Sequence, residues 1–141
     1  MTSVRRVLHP GTATGDVLVL TEPLSFWGGV NERDGTIIDV HHPQLGAVIA
    51  GRVLVMPSGR GSSSSSSVLA EVIRAGVGPA AIVLGDADPI MVVGATVAAA
   101  LYGTAVPIVV LPPDEYAAIC RAERVHVSTD GGAAWADKVD R

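Results

Sequence analysis

The sequence predicts a single α/β domain in which a β-rich first half leads into alternating helices and strands. The chain has 141 residues, the commonest size for one domain. Apolar residues make up 48% and aromatic residues only 4% of it, so the core must consist of Val, Ile, Leu and Ala, as is typical of strands buried beneath helices. The hydrophobic pattern changes from that of strands to that of helices near residue 62. These observations predict a β/β/α arrangement over residues 1–141.

The first half contains short β-type runs separated by turn signals. The run 17–20 alternates Val and Leu, and residues 31–35 form a candidate hairpin loop before the short run 36–38. A longer β-type run covers residues 50–56 and ends at Pro57. The first half is therefore predicted to supply strands and tight turns.

The second half alternates helical and β-type patterns with short links. Val68, Leu69, Val72 and Ile73 fall on one helical face, and Gly76 is the predicted end of that helix. A strand over 80–84, a helix over 90–102, a strand over 106–111, a helix starting near 113–114 and a strand over 124–127 follow. This alternation favours a parallel sheet with right-handed crossovers.

Charge and cysteine content exclude several classes of function. The net charge is −4, with three Arg against five acidic residues in 1–50 and seven basic against nine acidic residues in 51–141, so no basic face for nucleic acid is expected. The single cysteine, Cys120, cannot form an internal disulfide or hold an iron–sulfur cluster alone. No apolar segment follows Arg5 and Arg6, so no signal peptide is predicted and the cytoplasm is the expected location.

One apolar stretch raises the question of a membrane span. No residue between Asp88 and Asp114 is charged, and residues 90–111 are long enough to cross a bilayer. The run 102–104 and Pro107 interrupt the stretch, which favours an Ala-rich helix followed by a β-branched strand. We therefore expect no membrane segment.

The most informative segment is a glycine-rich and serine-rich loop between a strand and a helix. It runs from Pro57 through Gly59, Arg60 and Gly61 to six serines at 62–67. Glycine permits unusual backbone angles and close approach of a ligand, and the start of a helix presents free N–H groups. A strand, a glycine loop and a helix start together predict an anion site, to which the Arg60 guanidinium adds a fork for carboxylate or phosphate. The alternative is ordinary helix capping by a serine-rich turn.

A second segment combines aromatic residues with two glycines. Phe26 and Trp27 precede Gly28 and Gly29 in a chain that has one Phe and two Trp. Phe26 is interpreted as a hydrophobic plug at one end of the sheet. Ser25, Gly28 and Gly29 are candidates for the wall of a ligand site.

The histidines and the cysteine carry weaker signals. Adjacent His41 and His42 would point to opposite faces of an extended chain, and no third ligand follows by spacing, so a turn role is favoured over metal binding. Cys120 is expected to be a small buried apolar residue of a helix.

Six segments in order resemble the swivel domain, or small subunit, of the aconitase X family: residues 15–20, 23–30, 38–46, 50–57, 59–63 and 79–83. The resemblance covers roughly residues 11–112. It implies an aconitase swivel-domain-like β/β/α fold that docks on a large catalytic subunit carrying iron or an iron–sulfur cluster. Family members are dehydratases of cis-3-hydroxy-L-proline in bacteria and of phosphomevalonate in archaea, both small anionic substrates.

The resemblance also implies roles for the loop. In the wider aconitase superfamily a serine after this glycine loop removes the substrate proton, and by motif that role falls on Ser62. Substrate binding is expected of Gly59, Arg60, Gly61, Ser63, Ser25, Gly28 and Gly29, with no metal or cofactor held by this chain. Serines replace the Arg-Glu-His run of the related aconitase loop, so contacts of that run cannot be transferred. Ser65 and Ser66 lie beyond the loop and are expected to have no part in the site.

Two further questions stay open at this stage. A composition of nine Arg to one Lys favours a bacterial source and hence hydroxyproline over phosphomevalonate as the substrate, although it describes no pocket. The alternative from another class is a non-catalytic swivelling carrier or regulatory domain with a phosphorylated histidine, for which four histidines are available: His9, His41, His42 and His126.

Overall fold

The computed structural model describes residues 5–129 and 134–139. Nine strands and four helical segments follow one another along this part of the chain. They are β1 (Arg6–His9), β2 (Thr12–Val19), β3 (Leu24–Ser25), α1 (Phe26–Gly29), β4 (Val53–Met56), β5 (Gly59–Arg60), α2 (Ser64–Arg74), β6 (Ala81–Leu84), α3 (Pro89–Tyr102), β7 (Ile108–Val110), α4 (Pro113–Cys120), β8 (Arg124–Ser128) and β9 (Trp135–Lys138).

Seven of these strands form one mixed sheet in the order β1-β7-β6-β4-β2-β8-β9. The four central strands β7, β6, β4 and β2 are parallel, as the alternating pattern predicts. Strands β1, β8 and β9 pair antiparallel at the two sides of the sheet, which the sequence pattern does not indicate. Strand direction depends on the pairing partner, and no local residue pattern encodes that choice.

Strands β4, β6 and β7 are buried on both faces because alternate side chains enter two different cores. Leu54 and Met56 of β4 point into the core beneath α2 and α3, whereas Val53 and Val55 enter the core that contains Ile119 of α4. The Val-, Ile- and Leu-rich composition is explained by this double burial, because these residues fill both cores.

The structure confirms both the predicted buried face of α2 and the predicted end of this helix. Val68, Leu69, Val72 and Ile73 are all buried, and Gly76 has a left-handed backbone (φ +77°) just beyond the helix. The helix α3 ends at Tyr102 before the left-handed Gly103, and β7 follows, as the sequence predicts. None of the helices in 5–129 and 134–139 is long and apolar enough to span a bilayer.

The predicted hairpin over 31–38 is only partly formed. The Gly35 N–H donates to the Asn31 carbonyl, which closes the turn. Beyond it the structure has isolated bridges between Val30 and Ile37 and between Thr36 and Val48, instead of paired strands. The segment packs through Val30 and Ile37 on the same core as α2.

Candidate functional site

The glycine and serine loop lies at the carboxyl edge of the parallel strands. The ends of β4 and β6 are level, with Met56 beside Leu84, and Leu84 is beside Val110 of β7. The loop follows β4, and the segment 85–88 follows β6. Carboxyl ends of parallel strands are where α/β sheets bind ligands.

The structure joins the two sequence segments that are singled out as candidate sites. Strand β5 pairs in parallel with β3, so Ser25 is beside Arg60. The start of α2 approaches α1 through a hydrogen bond from the Trp27 N–H to the Ser65 hydroxyl, at 3.2 Å. One continuous surface therefore contains the aromatic segment and the serine loop.

Ser62 is exposed immediately before α2. Its hydroxyl oxygen accepts a bond from the Ser64 N–H at 3.3 Å, and its carbonyl accepts one from the Ser65 N–H at 3.0 Å. Ser63 is the N-cap residue and makes no side-chain cap bond. The Ser62 oxygen thus faces the first N–H groups of the helix, a geometry that suits both helix capping and stabilisation of negative charge on this oxygen.

Arg60 is exposed, and its guanidinium has no hydrogen bond or ion pair with any residue that the structure describes. An arginine of this kind retains all of its donors for an external carboxylate or phosphate.

Gly59 and Gly61 are required by internal packing. A Cβ at Gly59 would lie 1.4 Å from Oδ2 of Asp88, and one at Gly61 would lie 2.5 Å from the Ser25 hydroxyl. Gly61 also has a left-handed backbone, with φ +114°. The close approach that the sequence indicates at these glycines is made by side chains of the chain itself.

The aromatic segment divides into a buried and an exposed part. Phe26 is 0% exposed in the core, which confirms the plug, whereas Trp27 is 63% exposed. A Cβ at Gly28 would meet nothing within 4 Å. Gly29 is buried, and a Cβ at that position would lie 3.2 Å from the Leu24 side chain. Gly28 is therefore open to a ligand, and Gly29 supports the segment from within.

The histidines take structural positions. The His42 ring is buried in a turn, where its Nδ1 accepts from the Gln44 N–H at 3.0 Å. The other ring nitrogen therefore carries the proton and donates to the Glu22 carbonyl at 3.1 Å. His9 and His126 also have a hydrogen-bonded ring nitrogen, and His41 is exposed in the same turn as His42.

Cys120 is only partly buried, and its sulfur packs at the edge of the core near α4. Burial raises the pKa of its thiol above the ordinary value, which keeps the sulfur protonated at neutral pH. No group of three His, Cys, Asp or Glu residues within 5–129 and 134–139 is arranged to hold a metal ion. The described residues therefore do not fit an iron centre.

Sequence reasoning missed two residues of the site, Asp88 and Ser65. Asp88 is 9% exposed and caps α3 by accepting the Ile90 N–H at 2.9 Å. The signal was present, since an acidic residue followed by proline is a common helix start. Ser65, which is expected to be a position of little effect beyond the loop, is 0% exposed and bonds to α1. Its position four residues before Leu69 places it on the buried helical face.

Fold and site together define a mixed-sheet α/β domain with a serine loop at the carboxyl edge of its sheet. A family model described as the aconitase X swivel domain matches residues 2–134, and the chain belongs to this family. Within the family, the predicted α/β swivel-domain fold is confirmed by the structure of aconitase X from Thermococcus kodakaraensis. That structure is 29% identical and superimposes with a TM-score of 0.79, over 96% of this chain and 98% of the other.

Curated relatives are named for two dehydratases. The cis-3-hydroxy-L-proline dehydratase of Pseudomonas aeruginosa is 48% identical over 108 residues, which are 77% of this chain and 19% of that protein. The phosphomevalonate dehydratase small subunit of Methanothermobacter thermautotrophicus is 45% identical over 66% of this chain and 71% of that subunit. The chain spans about a fifth of the length of the cis-3-hydroxy-L-proline dehydratases from Pseudomonas aeruginosa and Hypocrea jecorina.

Proposed function

We propose that this chain is the small subunit of an aconitase X-type dehydratase, in which Ser62 removes the substrate proton. The observation that carries the proposal is the exposed Ser62 hydroxyl, which precedes α2 on the family's glycine loop and is paired with a backbone N–H. Relatives named as dehydratases support the reaction class.

The surroundings of Ser62 favour proton abstraction. A serine hydroxyl becomes a base only if its alkoxide is stabilised. The Ser64 N–H already donates to this oxygen, and the positive end of the α2 dipole lies beside it. The proton taken from the carbon next to the substrate carboxylate would pass to the Ser62 alkoxide, whose own proton has been released to solvent beforehand. Hydroxide would leave from the neighbouring carbon as the double bond forms.

Substrate binding is assigned to the surface around Ser62. The Arg60 guanidinium would hold an anionic group, with the backbone of Gly59, Gly61 and Ser63 forming the rest of the loop. Ser25 and Gly28 would form the opposite wall, with Gly29 behind them.

The other half of the active site is assigned to a large subunit. Iron or an iron–sulfur cluster is expected there on the strength of the chain's membership of the aconitase X family. No step that we assign to this chain passes through that centre.

We favour cis-3-hydroxy-L-proline as the substrate. The relative with that name matches 77% of this chain, against 66% for the phosphomevalonate dehydratase small subunit, which is the second candidate. Both substrates carry an anionic group for Arg60, so the loop does not discriminate between them. A carrier or regulatory role through a phosphorylated histidine is the alternative of another class, for which His41 has the most exposed ring environment.

The test is a pair of serine variants in the assembled complex. Ser62→Ala should lower kcat on the order of 10²-fold or more. The loss of its weak cap bond should cost about 1 kcal/mol of stability at most. Ser67→Ala is the matched control, since Ser67 is exposed on α2 and makes no side-chain hydrogen bond to described residues.

Isotope exchange identifies the step that is lost. With substrate bound, Ser62→Ala should stop exchange of the substrate α-proton with solvent, and Ser67→Ala should not. Full activity of Ser62→Ala would refute the assignment and move the base to the large subunit. Phosphate bound covalently to a histidine of the purified chain would favour the carrier role instead.

A further inference from the structure

Three elements meet at a pair of hydroxyls beneath the serine loop, one of them buried and one partly buried. Ser65, in the first turn of α2, is 0% exposed, and its Oγ lies 3.3 Å from Oγ of Ser25 in β3. The same Ser65 oxygen accepts the Trp27 N–H at 3.2 Å. The Ser25 hydroxyl donates to the Trp27 carbonyl at 3.1 Å.

The direction of each bond follows from counting protons. A carbonyl oxygen only accepts, so the Ser25 proton is used on Trp27. The bond between the two serines must then be donated by Ser65. The resulting ring runs from the Trp27 N–H to Ser65, from Ser65 to Ser25, and from Ser25 to the Trp27 carbonyl. Every hydroxyl in it both donates and accepts, and such chains polarise one another in a buried setting.

This ring packs directly on the residue before Ser62. A Cβ at Gly61 would lie 2.5 Å from Oγ of Ser25 and 2.8 Å from Oγ of Ser65. The residue before Gly61, Arg60, is also held in place, because it pairs with Ser25 between β5 and β3. The backbone that leads into Ser62 is therefore held at two consecutive positions.

The ring also holds both backbone polar groups of Trp27 although its indole is 63% exposed. Trp27 has an extended backbone (φ −72°, ψ 119°) between helical Phe26 and the left-handed Gly28. Trp27 and Gly28 depart from helical backbone geometry, and the two serines bond to both backbone polar groups of Trp27.

We propose that Ser65 is a positioning residue, whose hydroxyl closes the ring with Ser25 and Trp27 and so fixes Gly61 and the Ser62 hydroxyl for proton abstraction. Its effect on catalysis rests on the proposed function of Ser62. The ring itself does not, and it is tested separately on this chain alone.

The first experiment measures amide hydrogen exchange of Trp27 in the isolated chain. Ser65→Ala removes the acceptor of this N–H, so exchange at Trp27 should accelerate about tenfold. Ser67→Ala, the exposed control on the same helix, should leave the exchange rate at Trp27 unchanged. If Ser65→Ala does not fold, Ser65→Cys keeps the size of the side chain but offers the Trp27 N–H only a weak sulfur acceptor, and so tests the same bond. Unchanged exchange at Trp27 in a folded ring variant would overturn the ring.

The second experiment measures kcat and KM in the assembled complex. Ser65→Ala should lower kcat on the order of 10- to 100-fold through misplacement of Ser62, with a smaller change in KM. Added to Ser62→Ala, the same substitution should cause no further loss of kcat, because it acts only through Ser62. Equal losses in both backgrounds, or full kcat in Ser65→Ala while Ser62→Ala is inactive, would overturn the positioning role. If Ser62→Ala is itself fully active, the proposed function and this catalytic role both fail, and only the ring remains to be decided by exchange.

Discussion

Single residues around the loop are selected by contacts that no sequence pattern displays. Asp88 caps α3 with one carboxylate oxygen and covers Gly59 with the other. Gly59 has no left-handed backbone, so its lack of a side chain is explained by this contact alone. The two residues connect the helix start of α3 to the loop that precedes Ser62.

The contact predicts that Gly59→Ala is destabilising. The new Cβ would lie 1.4 Å from Oδ2 and 2.6 Å from Cγ of Asp88, so the carboxylate must move and its cap bond weaken. We expect a loss of about 1–3 kcal/mol in the free energy of unfolding, measured with denaturant.

A double-mutant cycle provides the control for this prediction. Asp88→Ala alone removes the cap, but in the Gly59→Ala chain it also relieves the clash. The two losses should therefore sum to more than the loss of the double variant. Additive losses would mean that the residues do not contact one another.

Substitution of Arg60 is predicted to affect substrate binding and not the stability of the fold. Because its guanidinium is exposed and makes no hydrogen bond or ion pair with a described residue, Arg60→Lys should change the free energy of unfolding by no more than about 0.5 kcal/mol. In the assembled complex the loss of a bidentate fork should raise KM and leave kcat nearly intact. A clear drop in melting temperature with normal KM would instead indicate a structural role.

At the scale of elements, α2 and α3 pack closely because Gly94 has no side chain. A Cβ at Gly94 would lie 2.8 Å from the Ser66 carbonyl oxygen and 3.0 Å from Cβ of Leu69. The first of these atoms belongs to the backbone of α2, which carries the serines of the loop. The distance between these two helices therefore affects the position of the site.

Gly94→Ala should destabilise the domain although alanine is the better helix former. In an open helix interior the substitution would gain about 1 kcal/mol. Here the contact with the α2 backbone should reverse the sign and cost about 1–2 kcal/mol, measured by denaturant unfolding. Thr96→Ala, at an exposed position of the same helix, is the control and should be neutral or slightly stabilising. A stabilised Gly94→Ala chain would contradict the close packing.

At the scale of the whole molecule, the outer face of α3 is apolar and uncovered. Val93, Val97 and Leu101 are exposed on it at helical spacing, in a stretch without charged residues. A second exposed apolar group lies in the segment 38–48. Surfaces of this kind mark interfaces, and the proposed large subunit is the partner that we expect on the α3 face.

Hydrogen exchange with and without the large subunit tests this docking face. Residues 61–113 should gain protection on assembly, including the serine loop and α3. Protection confined to residues 1–50 would contradict the prediction and move the interface to the segment 38–48.

Local patterns in the sequence determined most of the elements, and the resemblance to the aconitase superfamily singled out Ser62 as the candidate base. Short uninterrupted apolar runs mark the central strands. Helical spacing with a following glycine marks α2 and its end, because these signals depend only on backbone periodicity and glycine conformation. The position of Ser62 after a glycine loop and before a helix is likewise a property of consecutive residues. Its role as the base stays a prediction.

Only the tertiary structure decided which distant residues meet. The antiparallel direction of β8, the pairing of Ser25 with Arg60 and the contact of Asp88 with Gly59 all join segments far apart in the chain. Ser65 is identical to its serine neighbours in the sequence, yet helix geometry turns it inward onto Ser25 while Ser62, Ser63 and Ser64 face solvent. The six serines differ only in their surroundings, and burial and hydrogen-bond partners are fixed by packing between elements, which a single sequence does not encode locally.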